Sequence, residues 1–378
     1  MINKGIRNNV DCQDFLTGLK LLGTGGGGSI ESGREMIEEA LDEGLEMTWI
    51  DVSELPADKN SCTAFASGSI AEGNPQCDKD IDILANRLGM DNKYGYRAIE
   101  IAVHELENYT GKKIGAIVPV ELGASNVPAP LITAARMGIP TIDGDYSGRA
   151  VPEDMQTTYF LNGINTYPAA IVDWWGDVLI MKTTANTVMG ERIGKMLAVA
   201  AYGAVYIASL LLNAKQTQKL VIPGTLTRSL ELGQTIHSSL IKGADPVHAA
   251  VDYLDGWQIF TGEVIGKDWE EKNGVLVGTT HIQGTGEYKR HTMDVFFLNE
   301  NHIAWLDGKP LVFSPDLIIL LDPQTGTGYT NTEIQAGHKV SVIGTRGIDA
   351  FRSEKGLKYF GPRYWGFDID YKPIEETL

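Results

Sequence analysis

Residues 114–145 read I-G-A-I-V-P-V-E-L-G-A-S-N-V-P-A-P-L-I-T-A-A-R-M-G-I-P-T-I-D-G-D. The run Ile114–Val120 is apolar almost without a break, the pattern of a strand covered on both faces. It stops at Glu121, and Gly123, Ala124, Ser125 and Asn126 form a loop. Pro128 and Pro130 then open a helix to about Met137, because the first helical turn has no use for the N–H that proline lacks. A second apolar run, Ile139–Ile142, ends in Asp143-Gly144-Asp145. Strand, helix and strand in this order make a βαβ unit, whose two strands are parallel. Glu121 and the Asp143/Asp145 pair therefore leave the sheet at the same carboxyl edge, where open α/β sheets bind their ligands. Neighbouring strands lie ~4.8 Å apart, so these carboxylates are expected to converge. Gly148-Arg149-Ala150 and Pro152-Glu153 follow and crowd further charges into the same loop. The bland alternative is a solvated turn with a structural Arg–Asp pair, since Asp, Gly and Ser are ordinary turn residues.

Upstream, Phe15, Leu19 and Leu22 have helical spacing and place a helix over Asp11–Leu22. Gly23-Thr24-Gly25-Gly26-Gly27-Gly28-Ser29 comes next, with Ser29 as N-cap of a helix over Glu31–Glu43. Glycines feeding a helix N-terminus can offer several N–H groups to an anion or a carbonyl. Phosphate-binding fingerprints place such glycines after a strand. Here a helix precedes them and no lysine follows, so a flexible hairpin between two helices is the competing reading. Strands are expected at Glu46–Val52 and Cys62–Ile70, and helices at Asp78–Leu88 and Tyr94–Tyr109.

Downstream, strands are expected at Ala169–Trp175 and Val178–Met181, then a long helix over Thr187–Asn213. Its apolar part, Met196–Leu212, falls short of the ~20 residues that span a bilayer and reads as a buried helix. Further helices cover Thr225–Lys242 and a segment from Pro246, capped by Asp245, to Leu254. After Asp255-Gly256 the pattern turns to strands at Trp257–Ile265, Val275–Gln283, Tyr288–Asn299, Ile303–Leu306, Leu317–Leu321 and Lys339–Ile343. Asn299-Glu300-Asn301 and Ser314-Pro315-Asp316 are turns that could face the first part of the chain. The expected fold class is α/β plus β. An α/β domain with a parallel-sheet unit covers 1–160, a helical segment packed on it covers 161–255, and a β-rich domain covers 256–378.

At 378 residues the chain exceeds one typical core. Its net charge of −17 argues against non-specific nucleic-acid binding, which needs a basic footprint. Cys12, Cys62 and Cys77 are an odd count with no CxxC pair, so a disulfide framework or a cysteine zinc knuckle is not expected. The histidines show no zinc-ligand spacing. No signal-peptide pattern opens the chain. A cytoplasmic homo-oligomer is expected, with a small heterocyclic molecule as its partner and neither nucleic acid nor membrane.

Several separated segments share one resemblance. They are Gly23–Ser29, Pro119-Val120-Glu121 with Asn126 and Pro130, Asp143-Gly144-Asp145 with Gly148-Arg149-Ala150 and Pro152-Glu153, Asn299-Glu300, Ser314-Pro315-Asp316-Leu317-Ile318, and Gly361-Pro362-Arg363. Together they resemble the S-methyl thiohydantoin desulfurase family, related to hydantoin-utilisation proteins, over nearly the whole chain. The chain departs from that pattern at Ala124, where a second glycine is usual, and around His338, where an arginine is expected before the valine. The resemblance implies an α/β N-terminal part, a β-rich C-terminal part, and hydrolytic loss of a thiol from an S-alkylated thiohydantoin to give a hydantoin. It also implies a place in the breakdown of sulfur-containing imidazoles, of the ergothioneine type.

That chemistry needs an activated water, a proton or hydrogen bond at a ring nitrogen, and a departing thiol. Paired carboxylates divide the acid and base roles when their environments separate their pKa values. Asp143 or Asp145 is the candidate base, Glu121 the group that protonates the ring, and Arg149 the ligand of a carboxylate or ring carbonyl, oriented by Glu153. Thr24, Gly25, Gly26, Gly27, Gly28, Asn126 and Thr157 are the candidate substrate contacts. No organic cofactor is expected. A variant gives the carboxylates a divalent metal that acidifies water, Mg or Mn rather than Zn for oxygen ligands. Two other readings remain open at this point. One is an ATP-dependent ring opener of the hydantoinase or oxoprolinase kind, supported only by the glycine loop and Thr325-Gly326-Thr327-Gly328. The other is a non-catalytic subunit of a hydantoin-utilisation complex.

Overall fold

This computed structural model describes residues 5–68, 94–201, 203–272 and 275–378, with isolated positions between 83 and 89. The first sheet contains β1 (Gly5–Ile6), β2 (Met47–Ile50), β3 (Asn60–Gly68), β4 (Ile114–Ile117) and β5 (Thr141–Ile142). β6 (Gly144–Asp145) leaves this sheet, and β7 (Ala169–Asp173), β8 (Val178–Met181) and β9 (Ala204–Asn213) return to it. Its order is β1-β2-β5-β4-β3-β9-β7-β8. The central β2, β5, β4 and β3 are mutually parallel, and the outer strands pair antiparallel. The βαβ unit is present as β4, the helix Pro128–Arg136 and β5, with Ile117 opposite Thr141.

β10 (Ile222–Pro223) forms a two-stranded ribbon with β6. β11 (Trp257–Lys272), β12 (Val275–Gly284), β13 (Thr292–Leu298), β14 (Glu300–Leu306), β15 (Lys309–Phe313), β16 (Leu317–Leu321) and β17 (Lys339–Thr345) build an antiparallel sheet ordered β15-β14-β13-β12-β11-β17-β16. Between the two sheets in sequence lies the helical middle region, with helices Thr187–Ala200, Ala214–Leu220, Thr225–Ile241 and Pro246–Leu254.

One expected element is overturned. The long helix over Thr187–Asn213 ends at Ala200, and Ala204–Asn213 is β9, lying between β3 and β7. Val205, Ile207, Ala208 and Leu210 are buried there. A strand covered on both faces presents an unbroken apolar run, which periodicity alone does not separate from a buried helix. β-branched Val205 and Ile207, and Gly203 as punctuation, were the signals that favour a strand. β15 escaped the sequence reading because Pro310 sits inside it, which an edge strand tolerates. β3 ends at Gly68 among the described residues. The rest of the expected Cys62–Ile70 strand, Cys77, Tyr202 and nearly all of the expected Asp78–Leu88 helix lie outside them. No helix among the described residues is long and apolar enough to cross a membrane.

The helix Asn9–Leu22, which feeds the glycine loop, packs on the helix Thr225–Ile241. A Cβ at Gly18 would lie 1.8 Å from Ser229 O, and one at Gly233 would lie 1.7 Å from Asp14 O. Two glycines facing opposite backbones thus let these helices approach main chain to main chain, and fix where the loop begins.

Candidate functional site

The two strand exits run side by side. Tyr146 N–H donates to Val120 O at 3.0 Å and Leu122 N–H to Arg149 O at 3.1 Å. This pairing brings Glu121 next to Asp145. Glu121 is half-buried, and its two carboxylate oxygens accept from Asn126 Nδ2 and Val151 N–H, each at 2.6 Å. Burial pushes its pKa up to about 8, and the charges of Asp145 and Asp154 push the same way. Asp145 is fully buried. Its Oδ1 accepts from the N–H groups of Ser147 and Gly148, each at 2.6 Å, and among the described residues its Oδ2 meets no donor at hydrogen-bonding geometry. Burial raises it to about 6, while the Thr225 hydroxyl and the N–H groups of Gly148 and Ser147 hold it down. The chain between Asp145 and Gly148 is an Asx-type turn, so local backbone donors keep this carboxylate more acidic than its neighbour.

Asp143 has a different task. Its oxygens accept from Thr227 N–H at 3.0 Å and Thr227 Oγ1 at 2.6 Å, which caps the first turn of the helix Thr225–Ile241. Both oxygens hold formed hydrogen bonds to Thr227, whereas among the described residues Asp145 Oδ2 holds none. Asp143→Ala should lower stability by about 1–2 kcal/mol, as loss of an N-cap does. A urea midpoint unchanged from the parent would show that the cap contributes nothing.

Arg149, expected at a substrate, is 2 % exposed and committed to protein. Nη2 donates to Thr24 Oγ1 at 2.6 Å and to Asn301 O at 2.9 Å, and Nε to Ala150 O at 3.2 Å. Its guanidinium lies 5.2 Å from the centre of the Phe360 ring. Burial pulls its pKa down to about 10, against Glu300 and Asp316, which pull it up. Arg149 thereby ties the strand exit, the glycine loop and the C-terminal sheet together. Among the described residues Glu153 makes no hydrogen bond to it, and instead accepts one from the Tyr364 hydroxyl.

The glycine loop is anchored at its first half, and in its second half Gly27 is buried, its carbonyl accepting from Ser125 N–H at 3.0 Å, while Gly28 is partly exposed. Thr24 O accepts from Asn301 N–H at 2.8 Å and Gly25 O from Asn331 N–H at 2.7 Å. Gly26 lies against Glu300, where a Cβ would sit 1.8 Å from Oε1. Gly27 and Gly28 have φ of 79° and 80°, which suits glycine. Among the described residues their N–H groups make no hydrogen bond, and they border Gly123 and Ser125 of the Glu121 loop. Asn126 is exposed and bonds Glu121. Thr157 is fully buried, with Oγ1 donating to Asp154 O at 2.6 Å, and caps the short helix Thr158–Leu161.

Sequence reasoning assigned no role to several residues of this neighbourhood. Glu300 is 3 % exposed and among the described residues its Oε2 has no hydrogen-bond partner; burial and then Glu121 drive its pKa well above the usual range. Asp154 is raised by burial, and Glu191 is raised to about 7 by burial and by Asp154. Lys195 pairs with Glu191 at 2.9 Å. His302 is fully buried and stacks on Trp365 at 3.8 Å; burial and Arg149 keep it neutral. The one available signal was Glu300, in a turn expected to face the first domain. Asp154, Glu191 and Lys195 carried none. No group of three or more His, Cys, Asp or Glu among the described residues is placed to hold a metal ion. Thr325–Gly328 follow the turn after β16, in which Asp322 Oδ1 accepts from Gln324 and Thr325 N–H, and Gly328 bridges back to Leu321.

Comparisons with known proteins fit this architecture. The family description "S-Me-THD-like, N-terminal domain" matches residues 10–183, and "S-Me-THD-like, C-terminal domain" matches residues 185–374. A crystal structure of a protein from Chromobacterium violaceum is similar, with a TM-score of 0.75 and 21 % identity over 96 % of this chain and 98 % of that one. At that identity the likeness shows the fold alone. No curated protein matches.

Proposed function

Since the chain belongs to the S-Me-THD-like family, related to hydantoin utilisation, we propose that it hydrolyses an S-methyl thiohydantoin to a hydantoin and methanethiol. Water adds to the ring carbon between the two nitrogens, the carbon–sulfur bond breaks, and the sulfur leaves with a proton as the thiol. Oxygen stays on carbon as the hydantoin carbonyl.

One observation carries this reading. Two carboxylates in electrostatic contact have pKa values pushed apart, to about 6 for Asp145 and about 8 for Glu121. At neutral pH the first is mostly ionised and the second mostly protonated, which is how environment assigns a base and an acid. Glu121, half-buried, donates to a ring nitrogen and makes the adjacent carbon electrophilic. Asp145, through its unengaged Oδ2, takes the proton of the attacking water. The N–H groups of Gly27 and Gly28 receive the ring carbonyl or the charge that develops on the ring, as fixed backbone donors do in acyl transfer. Arg149 acts by holding this loop in place.

The pH dependence follows from the sign of these shifts. The active form has Asp145 ionised and Glu121 protonated, so kcat/KM should rise through about pH 6 and fall through about pH 8. Glu121→Gln should lose the alkaline fall, because its amide does not titrate, and should lower kcat by about 100-fold or more. Thiol release from an S-methyl thiohydantoin across pH 5–10 measures both. An alkaline limb that persists unchanged in the variant would remove Glu121 from the acid role. Absence of thiol release by the parent protein from any S-methyl thiohydantoin would end the proposal.

A further inference from the structure

Glu300 is held from both sides and laid against the glycine loop. Asn299 before it joins β13 to β14 with a φ of 58°, in the left-handed region that asparagine tolerates. Its N–H donates to Leu276 O at 2.7 Å, and its Oδ1 accepts from Leu276 N–H at 2.9 Å. Asn301 after it donates its N–H to Thr24 O at 2.8 Å. The Glu300 side chain then lies over Gly26, where an added Cβ would sit 1.8 Å from Oε1. It is 3 % exposed, and among the described residues its Oε2 has no hydrogen-bond partner. Arg149 donates instead to Thr24, Ala150, Asn301 and the Asp316 carbonyl.

A carboxylate in such a place loses its hydration with one oxygen uncompensated, so the neutral acid is the favoured form. The charge of Glu121 acts in the same direction, and Arg149 acts against it. A neutral carboxyl is a donor. Placed on Oε2, its proton meets no acceptor among the described residues, and a buried donor left so is costly. Gly27 and Gly28 follow Gly26, and their N–H groups make no hydrogen bond among the described residues. Three donors therefore lie along one short stretch of loop. Gly28 and Glu121 are partly exposed, which is the side from which a ring can enter.

We propose that Glu300 is a further catalytic residue, donating from Oε2 to the ring carbonyl oxygen of the substrate alongside the N–H groups of Gly27 and Gly28. The inference rests on the hydrolytic reading and adds this contact to it. In an S-methyl thiohydantoin one ring nitrogen lies between the reacting carbon and the carbonyl. Water adding to the carbon pushes an electron pair towards that nitrogen, and the pair is shared with the carbonyl oxygen. A donor fixed at this oxygen binds the transition state more tightly than the ground state. A carboxyl kept neutral by its site does so without bringing a negative charge of its own. The proton stays on Glu300 throughout, so Glu121 and Asp145 keep their acid and base roles.

The test compares Glu300→Gln with Glu300→Leu in the full chain. Gln keeps an N–H donor at the same place, and Leu keeps most of the volume with no donor. Leu should lower kcat for thiol release by about 100- to 1,000-fold with KM little changed, and Gln should stay within about tenfold of the parent. Infrared spectra of bound hydantoin, isotopically labelled at the carbonyl that the substrate also carries, read the contact without turnover. The carbonyl stretch should be lowered in the parent and in Gln, and should return towards its free-solution value in Leu, with circular dichroism confirming that the variants fold. Equal losses in folded Gln and Leu would make Glu300 a charged counter-ion of Arg149 and overturn the assignment, as would parental kcat in Leu. If Leu does not fold, the spectrum of the parent decides, because a stretch at the free-solution value overturns the contact. If the parent releases no thiol but the stretch answers to Glu300 as stated, the hydrolytic reading fails alone and the contact stands.

Discussion

Replacing Asp145 by Asn should lower thiol release by about 100- to 10,000-fold, the range over which removal of a general base acts. The change is nearly isosteric. Asn keeps a carbonyl oxygen to accept from Ser147 and Gly148, the two bonds that shape the turn. What it removes is the basic Oδ2, which accepts no formed hydrogen bond among the described residues, with the Thr225 hydroxyl beside the carboxylate. The near-ultraviolet spectrum and the unfolding midpoint should therefore stay close to the parent while methanethiol production collapses. A folded variant with more than about a tenth of parental kcat would show that water is activated elsewhere. Asp143 would not be the replacement, since Thr227 occupies both of its oxygens.

The second large effect is on stability. Arg149→Met should cost about 3–5 kcal/mol, the range for removing one partner from a buried charged network. The side chain ends among Thr24, Ala150 and Asn301, which belong to the glycine loop, the strand exit and the C-terminal sheet. Methionine fills part of the volume but leaves those acceptors without this donor, and takes the guanidinium from beside buried Glu300, while Asp316 keeps its ion pair with Arg352. Urea unfolding followed by fluorescence and by circular dichroism measures the loss. A cost below about 1 kcal/mol would mean that the three segments are joined by packing rather than by the guanidinium.

How much of this was legible in the sequence depends on range. The adjacency of Glu121 and Asp145 followed from local grammar, because parallel strands joined by a helix must open at one edge. Which of the two aspartates in Asp143-Gly144-Asp145 stays free of the fold did not, because it depends on Thr227, far along the chain, docking its helix onto one carboxylate and not the other. Arg149 looked like a ligand-binding group from its motif. Its actual partners are mostly main-chain oxygens, which no side-chain pattern reveals. Glu300 reaches the glycine loop only because Gly26 has no side chain, a fact about shape in two remote segments. β9 was misread for an intrinsic reason: full burial erases the alternation that marks a strand.

β9 has a consequence for how the chain can be divided. Residues 185–374 match a family description of their own, yet Ala204–Asn213 from that half supplies an interior strand of the other half's sheet. A truncated protein ending near residue 184 would leave β3 and β7 as bare edges facing a gap, each with unpaired N–H and C=O groups that invite intermolecular pairing. Expressed alone, such a fragment should precipitate. Mixing it with the missing piece should restore solubility, because complementation would return the strand to its slot.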